Sequence, residues 1–469
     1  MQKYITEFWC AMRRFKHLFS AIDMTEGPPW KKLLLFALPL LAGNLFQQLY
    51  STVDAIMLGY FVGDYALAAV GSSIPIFFLI MVLMMGIAMG AGVMVSQYFG
   101  AKQREELSYT VGTCITLTAT LGAFMMIAGP LLTRPLLTVM GTPPEILDDS
   151  VMYINILLWG VLGLGYFNIL SGALRGMGDA FSPLMYLAVA SILNIALNFL
   201  FIGVMDLGVM GAAIGTVVAQ AFTSFLCLRR LMQMRNVFDM GIHYLRPKKR
   251  YLSQMLKLGV PNGASSVMFA LAMMAVQPLA NSFGPMFLAA FVIVMRVDSF
   301  VMMPNFSFSN TMTVYAGQNI GAGKLDRIEK GFKQCALMAF ATALVLVAII
   351  LLFGSQIAGL FTQSEEVLAM SAQFLAALAA GYLIFSVGAV GWGAIRGAGD
   401  AITPMWASLI ITLFVRVPTA YLFVYLIGEP VALAYSLLAA WSANTLLALI
   451  AYRIGKWRTK GLVKPTDGC

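Results

Sequence analysis

One carboxylate interrupts the first long apolar segment of the chain, in a stretch that reads LFQQLYSTVDAIMLG over residues 45–59. An ionised side chain at the centre of a bilayer costs about 2.5–3.5 kcal/mol on insertion scales, so an acid there usually faces a polar interior and has a function. Asp54 follows Gln47 and Tyr50 at spacings that place all three side chains on one helical face. This face predicts a site that binds a proton or another cation.

Two other segments of the N-terminal half carry polar pairs at helical spacing. Asn194 and Asn198 are four residues apart, and so are Thr216 and Gln220. Polar stripes of membrane helices turn toward a bundle interior or a wet cavity, so these side chains could complete the site of Asp54. The alternative is hydrogen bonding between helices for packing alone, worth about 0.6 kcal/mol on average. The residues themselves leave both interpretations open.

Pro39 precedes these polar residues within the first apolar segment. A proline inside a helix removes one backbone hydrogen bond and bends the helix. We therefore predict a hinge at Pro39.

The C-terminal half carries three charges within apolar segments. Arg296 and Asp298 lie in VIVMRVDSFVMMP, and Arg416 lies in LFVRVP. Arg296 and Asp298 are two positions apart, so they point in different directions on a helix. Asp298 and Arg416 predict either an interior ion pair that joins two helices or a second proton site.

The elements that hold these residues must be membrane-spanning helices. Of the 469 residues, 60% are apolar and 11% are charged, whereas a soluble domain is about 25% charged. Many apolar runs reach the roughly 20 residues that cross a bilayer as a helix, and the alternating period of a transmembrane strand is not seen. We predict an all-α polytopic membrane protein with twelve spans, at about 33–58, 66–95, 107–130, 147–170, 180–203, 209–230, 252–282, 287–312, 330–354, 367–391, 401–425 and 430–454.

Basic residues concentrate in the loops on one side of the predicted membrane. The loops of the other side contain Arg134 and several acids, among them Asp206 and Glu429. Because cytoplasmic loops carry the excess of Lys and Arg, we expect both termini in the cytoplasm and the chain in the plasma membrane, the inner membrane of a bacterium. These loops account for the net charge of +9, so we expect no nucleic-acid partner.

The chain is a tandem repeat. ALRGMGDAFSP begins at residue 173 and AIRGAGDAITP at 394, and SQYFGAKQREEL begins at 96 and GQNIGAGKLDRI at 317; both offsets are 221 (394 − 173 and 317 − 96). Each half holds six spans, an even number, so the two bundles should be related by a pseudo-twofold axis along the membrane normal. Such repeats favour transport by rocking of one bundle against the other; the alternative is a duplicated scaffold that transports nothing.

The repeat divides the chain into five predicted parts. Apolar residues from Phe8 to Ile22 recur at helical spacing, which predicts a helix on the inner membrane surface or, alternatively, a mobile tail. The parts are a cytoplasmic N-terminal segment at 1–30, a first six-helix bundle at 31–230, a basic cytoplasmic linker at 231–251, a second six-helix bundle at 252–455 and a cytoplasmic tail at 456–469.

The predicted spans lack the residue patterns that are typical of an enzyme active site. They contain no histidine cluster with metal-ligand spacing, no paired carboxylates and no activated nucleophile. The five cysteines are scattered without a CxxC pair. We therefore expect a protein that is not an enzyme and that holds no cofactor or resident metal.

The STVDAIMLG stretch of span 1, the two RGxGD loops and GQNIGAG together resemble the multidrug and toxic compound extrusion (MATE) family. The resemblance covers about residues 30–455. The major facilitator superfamily, which also has repeats of six spans, has a charged GxxxDRxGRR loop where this chain has GAKQREEL. The resemblance implies a monomeric efflux antiporter that exports amphipathic, often cationic compounds while protons or sodium ions enter.

The resemblance also implies roles for individual residues. In the DinF-like branch of the family, the ion site of the N-terminal bundle matches Asp54, Gln47, Asn194 and Thr216, and a helix-bending proline matches Pro39. A sodium ion in this site would be held by Asp54, Asn194, Asn198 and Thr216. The NorM-like branch uses acids in spans 7 and 10, where this chain has Ser265 and Phe385, so the DinF-like branch is favoured.

One position departs from that branch. Many DinF-like members have a second aspartate in span 5 where this chain has Asn198. Because sodium prefers anionic oxygen ligands, the single remaining carboxylate favours proton coupling over sodium coupling. The alternatives are a sodium-coupled drug antiporter and a flippase of the same superfamily that moves a lipid-linked precursor.

Overall fold

The structure is a computed structural model that describes residues 21–463, and most residues of the predicted spans are helical. Among them, eleven helices are long and apolar enough to cross a membrane, and a pair of helices bent by 52° forms a twelfth span. The prediction of an all-α protein with twelve spans is confirmed. Residues 21–28 are not helical, and the predicted surface helix falls mostly on residues 1–20, outside the described part of the chain.

The helices of the first repeat are as long as or longer than the predicted spans, because they continue beyond the apolar core into the loops. Span 4 is broken at Gly160, and span 5 ends in a π-helical segment that follows Asn198 directly. The bounds of spans 1 to 6 are Pro29–Phe61, Asp64–Gly100, Arg104–Val139, Pro144–Trp159 with Val161–Gly176, Phe181–Asn198 with the π-helix Phe199–Val204, and Gly208–Gln233.

The second repeat has the same order of elements. Its irregular helix is span 11, where a π-helical segment ends at Arg416. The bounds of spans 7 to 12 are Lys249–Ser282, Pro285–Gly321, Leu325–Gly359, Glu365–Gly397, Ile402–Ile410 with the π-helix Ile411–Arg416 and Val417–Ile427, and Ala432–Ile454.

The chain folds into two compact units whose boundaries do not coincide with the loops. The first unit includes residues 38–260, and the second includes residues 25–37 and everything described after residue 260. Span 1 therefore begins in the second unit and continues into the first, next to Pro39. Span 7 begins in the first unit and continues into the second, next to Pro261.

Glycines let paired helices approach closely within each unit. A Cβ added at Gly172 of span 4 would lie 2.9 Å from the carbonyl oxygen of Ala88 in span 2, and one added at Gly393 of span 10 would lie 2.3 Å from that of Ser309 in span 8. Both pairs are separated by the repeat offset, since 393 − 172 and 309 − 88 equal 221. Close helix contact through small residues is a common packing mode in membranes. The duplication thus extends to the packing of the helices.

The RGxGD loops form matching turns. Asp179 accepts a hydrogen bond from the backbone N–H of Ser182 at 2.9 Å, and Asp400 accepts one from that of Thr403 at 3.0 Å. Each aspartate thereby satisfies a free N–H group at the start of the next helix. The motif therefore forms the same helix-capping turn in both repeats.

The linker between the repeats packs against the first unit. Its turn at Ile242–Leu245 lies on span 3, where a Cβ at Gly112 would come within 2.1 Å of the Tyr244 carbonyl oxygen. Arg104, the first residue of span 3, forms an ion pair with Asp239 at 2.6 Å. The predicted linker is therefore an ordered part of the first unit.

Candidate functional site

Asp54 and the two asparagines of span 5 meet inside the first unit. Asn198 donates a hydrogen bond from Nδ2 to Asp54 Oδ1, and the same nitrogen donates to Asn194 Oδ1 at 3.1 Å. Both asparagines are buried, and Asp54 is half-buried. The structure thus brings together residues that are 144 positions apart in the sequence.

Span 6 completes a ring of polar side chains. Thr216 Oγ1 accepts a hydrogen bond from the Tyr50 hydroxyl at 3.3 Å and a long one from Asn194 Nδ2 at 3.5 Å. Because Tyr50 and Asp54 lie on the same face of span 1, the network runs from span 1 through spans 5 and 6 and back to span 1. We call these five residues the N-terminal ring: Asp54, Asn198, Asn194, Thr216 and Tyr50.

Within residues 21–463, the charge of Asp54 has no basic partner. The ion pairs among the described residues do not include Asp54. The amide of Asn198 stabilises the ionised carboxylate, whereas the low-dielectric surroundings disfavour it. A change in solvent access can therefore change the protonation state of Asp54, which is what a coupling site requires.

Two predicted residues lie outside the N-terminal ring. The Gln47 side chain is exposed, and its backbone carbonyl accepts a hydrogen bond from Ser51 Oγ at 3.1 Å. Pro39 precedes Asp54 by 15 residues, about 22 Å along a helix. The structure therefore does not bring Gln47 to the carboxylate, and Pro39 lies inside the same continuous helix as Asp54 without contacting the ring.

Two residues of the site were not predicted. A Cβ added at Gly215 would lie 2.3 Å from Asn198 Oδ1, so the missing side chain provides room for the asparagine amide. Tyr153 of span 4 is buried close enough to Asp54 to interact with its charge. The position of Gly215 beside Thr216 was a weak sequence signal, whereas Tyr153 had none because its proximity to Asp54 depends on the tertiary fold.

Gly215→Ala should displace the Asn198 amide and weaken its hydrogen bond to Asp54. Hydrogen bonds to charged groups contribute about 1.5–3 kcal/mol, so we expect roughly a tenfold loss of apparent affinity for an exported cation in vesicles, about 1.4 kcal/mol. The matched control is Gly43→Ala, whose Cβ would meet only a Leu184 methyl at 3.8 Å. Equal affinity of the two variants would show that Gly215 does not position Asn198.

The charged residues of the C-terminal half do not form the ion pair that the sequence suggested as one alternative. No ion pair joins Asp298 to Arg416 among the described residues. Arg416 is buried and donates hydrogen bonds to Ser436 Oγ and, at 3.5 Å, to the Leu433 carbonyl oxygen. Arg296 is exposed on span 8. The polar contacts of Arg416 that the structure shows therefore go to span 12.

Comparison with known proteins identifies the family. The sequence matches the MatE family over residues 39–200 and 261–422. It is 31% identical over 426 residues to the probable multidrug resistance protein YoeA of Bacillus subtilis (strain 168), which covers 87% of this chain and 92% of that protein. It is also 22% identical to the multidrug export protein MepA of Staphylococcus aureus (strain NCTC 8325 / PS 47), over 80% of this chain and 83% of that protein.

Solved structures show the same fold. One is described as the outward-facing conformation of a multidrug resistance MATE family transporter of the MOP superfamily. Its TM-score to this chain is 0.87 and its sequence identity is 25%. The match covers 93% of this chain and 97% of the other. Another is a MOP superfamily transporter from Pyrococcus furiosus, for which a reverse polarity of the binding pocket is said to suggest a different function. Its TM-score is 0.86 and its sequence identity is 25%, and the match covers 93% of this chain and 98% of the other. The sequence match to both repeats, the similarity to YoeA and the shared fold lead to one conclusion: the chain belongs to the MatE family of multi-pass membrane transporters.

Proposed function

We propose that this protein is a proton-coupled antiporter that exports amphipathic, often cationic compounds by alternating access. The observation that carries the proposal is the N-terminal ring, in which a single carboxylate without a basic partner is held by the buried amide of Asn198. The names of two relatives, a probable multidrug resistance protein and a multidrug export protein, support the substrate class.

The composition of the ring favours a proton as the coupling ion. Asp54 is its one acidic side chain, and the position that would supply a second carboxylate holds Asn198. Neutral amide and hydroxyl oxygens from Asn194 and Thr216 would leave a sodium ion with a single anionic ligand. A proton needs only the carboxylate itself.

Coupling follows from the charge that Asp54 gains and loses. The ionised carboxylate attracts a cationic substrate and accepts a charge-assisted hydrogen bond from Asn198, whereas protonation removes the attraction and weakens the hydrogen bond. A tenfold difference in substrate affinity between the two forms needs about 1.4 kcal/mol, and the effect is reciprocal, so substrate binding equally disfavours protonation. A proton and a cationic substrate therefore compete for Asp54, and this competition couples proton entry to substrate exit.

Separate ion gradients test the proposal. In vesicles containing the purified protein, we expect a pH gradient alone, acidic on the side toward which the substrate is exported, to drive uphill export of a fluorescent cation such as ethidium. A sodium gradient alone should drive none, because the ring has only one carboxylate. Export driven by sodium at constant pH would instead establish the sodium-coupled alternative.

The flippase alternative rests on the intramembrane arginines. Arg416 is buried in span 11 and Arg296 lies on span 8, whereas a pocket for an anionic lipid-linked precursor should present several cations. Arg416 is already bound by Ser436 and Leu433, which favours drug export. Movement of a fluorescent lipid-linked precursor without ethidium export would reverse this choice.

The proposed orientation places both termini in the cytoplasm of a bacterial cell, with the protein as a monomer in the plasma membrane. Support comes from the loops, since the linker carries Arg246, Lys248, Lys249 and Arg250 on one side and the opposite side has mainly acids. A reporter enzyme that is active only in the cytoplasm, fused to the C-terminus, should be active.

A further inference from the structure

Asp298 is a second acid inside the membrane-spanning region, and nothing in the proposed export mechanism uses it. Of the 21 acidic residues, Asp54 and Asp298 alone lie more than three residues inside a predicted span. Asp298 lies 13 residues after the start of the span 8 helix, about 20 Å along its axis. It belongs to the second unit, whereas Asp54 belongs to the first.

The phenol of Tyr382 in span 10 lies close enough to Asp298 to interact with its carboxylate. Asp298 Oδ1 and the Tyr382 hydroxyl are both buried without a hydrogen-bond partner among the described residues. Buried polar atoms in native proteins are nearly always hydrogen-bonded, so the neighbouring Asp298 Oδ1 atom and Tyr382 hydroxyl need an explanation.

The surroundings of this pair are apolar. Tyr382 is fully buried in a hydrophobic cluster to which span 8 contributes Val294, Val297 and Val301. Trp441 of span 12 packs on the Tyr382 ring with the ring centroids 5.3 Å apart. A sodium ion would require several oxygen ligands, and this cluster offers the carboxylate and one phenol.

Among the described residues, no ion pair includes Asp298. Arg296 is exposed on another side of span 8, and Arg416 is bound by Ser436 and Leu433. Span 9 also packs on span 8, but its charged residues lie within its first nine residues, beside the end of span 8 that is remote from Asp298. Arg396 of span 10 donates a hydrogen bond to Ser309 Oγ at 2.7 Å, further along span 8. The described basic side chains on spans 8 to 11 thus leave the carboxylate without a counter-ion.

We propose that Asp298 and Tyr382 form a second proton-binding site, independent of Asp54. A protonated Asp298 donates its O–H to the Tyr382 oxygen, and an ionised Asp298 accepts the Tyr382 O–H, so a small movement of either helix gives the same pair a hydrogen bond in both states. The proton is exchanged with water, and no other bond is made or broken. The site concerns proton binding alone and does not depend on what the protein exports.

Infrared difference spectroscopy tests the site directly. The full chain, reconstituted in lipid, is titrated from alkaline to acidic pH in an Asp54→Asn background, so that signals from the N-terminal ring are removed. We expect a band from a protonated, buried carboxyl group to appear in Asp54→Asn and to be lost in Asp54→Asn/Asp298→Asn. The control Asp54→Asn/Asp148→Asn, which removes an exposed acid of an ion pair with Arg134, should keep the band.

Tyr382→Phe keeps the acid and removes the phenol. The carboxyl band should persist in Asp54→Asn/Tyr382→Phe and shift in frequency, because the hydrogen bond to the C=O or O–H group changes. An unshifted band in this variant would overturn the proposal, as would a band that survives Asp298→Asn. If the band disappears when sodium is added at constant pH, the site binds sodium in place of the proton. Failure of proton-driven export would leave these spectra unaffected.

Discussion

Asp54→Asn is expected to abolish uphill export driven by a pH gradient while leaving the protein folded and inserted. Asparagine has nearly the shape of aspartate and still accepts the hydrogen bond from Asn198, but it cannot take up a proton. The reciprocal coupling between proton and substrate is lost with that group. We expect substrate accumulation against its gradient to fall by more than tenfold.

Vesicles with a trapped pH dye give the required measurement. With the wild-type protein, the luminal pH should change as ethidium crosses the membrane, because protons move in the opposite direction. With Asp54→Asn, the luminal pH should not change when ethidium is added. A matched control is Asp206→Asn, since Asp206 is exposed in a loop with φ +53, a conformation that asparagine also adopts. If Asp54→Asn moves ethidium uphill as well as this control does, Asp54 is not the coupling residue.

Gly397→Ala is expected to be the most destabilising small substitution in the second unit. A Cβ at Gly397 of span 10 would lie 2.2 Å from the carbonyl oxygen of Thr313 in span 8, so the two backbones must separate. Overpacking of this kind costs about 1–3 kcal/mol, and rigid backbone on both sides favours the upper end. The melting temperature of the purified protein should fall by several degrees.

Gly354→Ala provides the opposite case in span 9. Nothing lies within 4 Å of a Cβ at this helical position, and alanine is favoured over glycine in a helix by about 0.5–1 kcal/mol. Thermal unfolding followed by a fluorescent probe should therefore give a melting temperature equal to or above that of the wild type. Similar losses for both variants would show that close packing of spans 8 and 10 does not govern stability.

The positions and number of the spans could be predicted from the sequence because length and hydropathy determine them. The break of span 4 at Gly160 and the π-helical segments of spans 5 and 11 could not. Their residues are as apolar as those of a straight helix, and hydropathy contains no information on curvature. The membership of residues 25–37 in the second unit was also unpredictable, since it depends on packing rather than on the loop pattern.

The members of the N-terminal ring could be proposed from spacing, because residues four apart share a helical face whatever the fold. Which of these side chains contact each other depends on how the helices pack. Gln47 shares its face with Asp54 yet is exposed, and Gly215 contributes by lacking a side chain, which no polar pattern reveals. In the second unit, the charges of Asp298 and Arg416 were visible in the sequence, but their separate partners depend on how spans 10 and 12 pack.

The division of spans 1 and 7 between the units bears on the origin of the chain. The first turns of each repeat's leading helix belong to the other unit, so each unit contains residues from both repeats. Two copies would have had to exchange the first turns of their leading helices, as domain-swapped dimers do. Fusion of the two copies would then have turned an obligate dimer into one chain, and a protein cut at the linker should still assemble only when both fragments are made together.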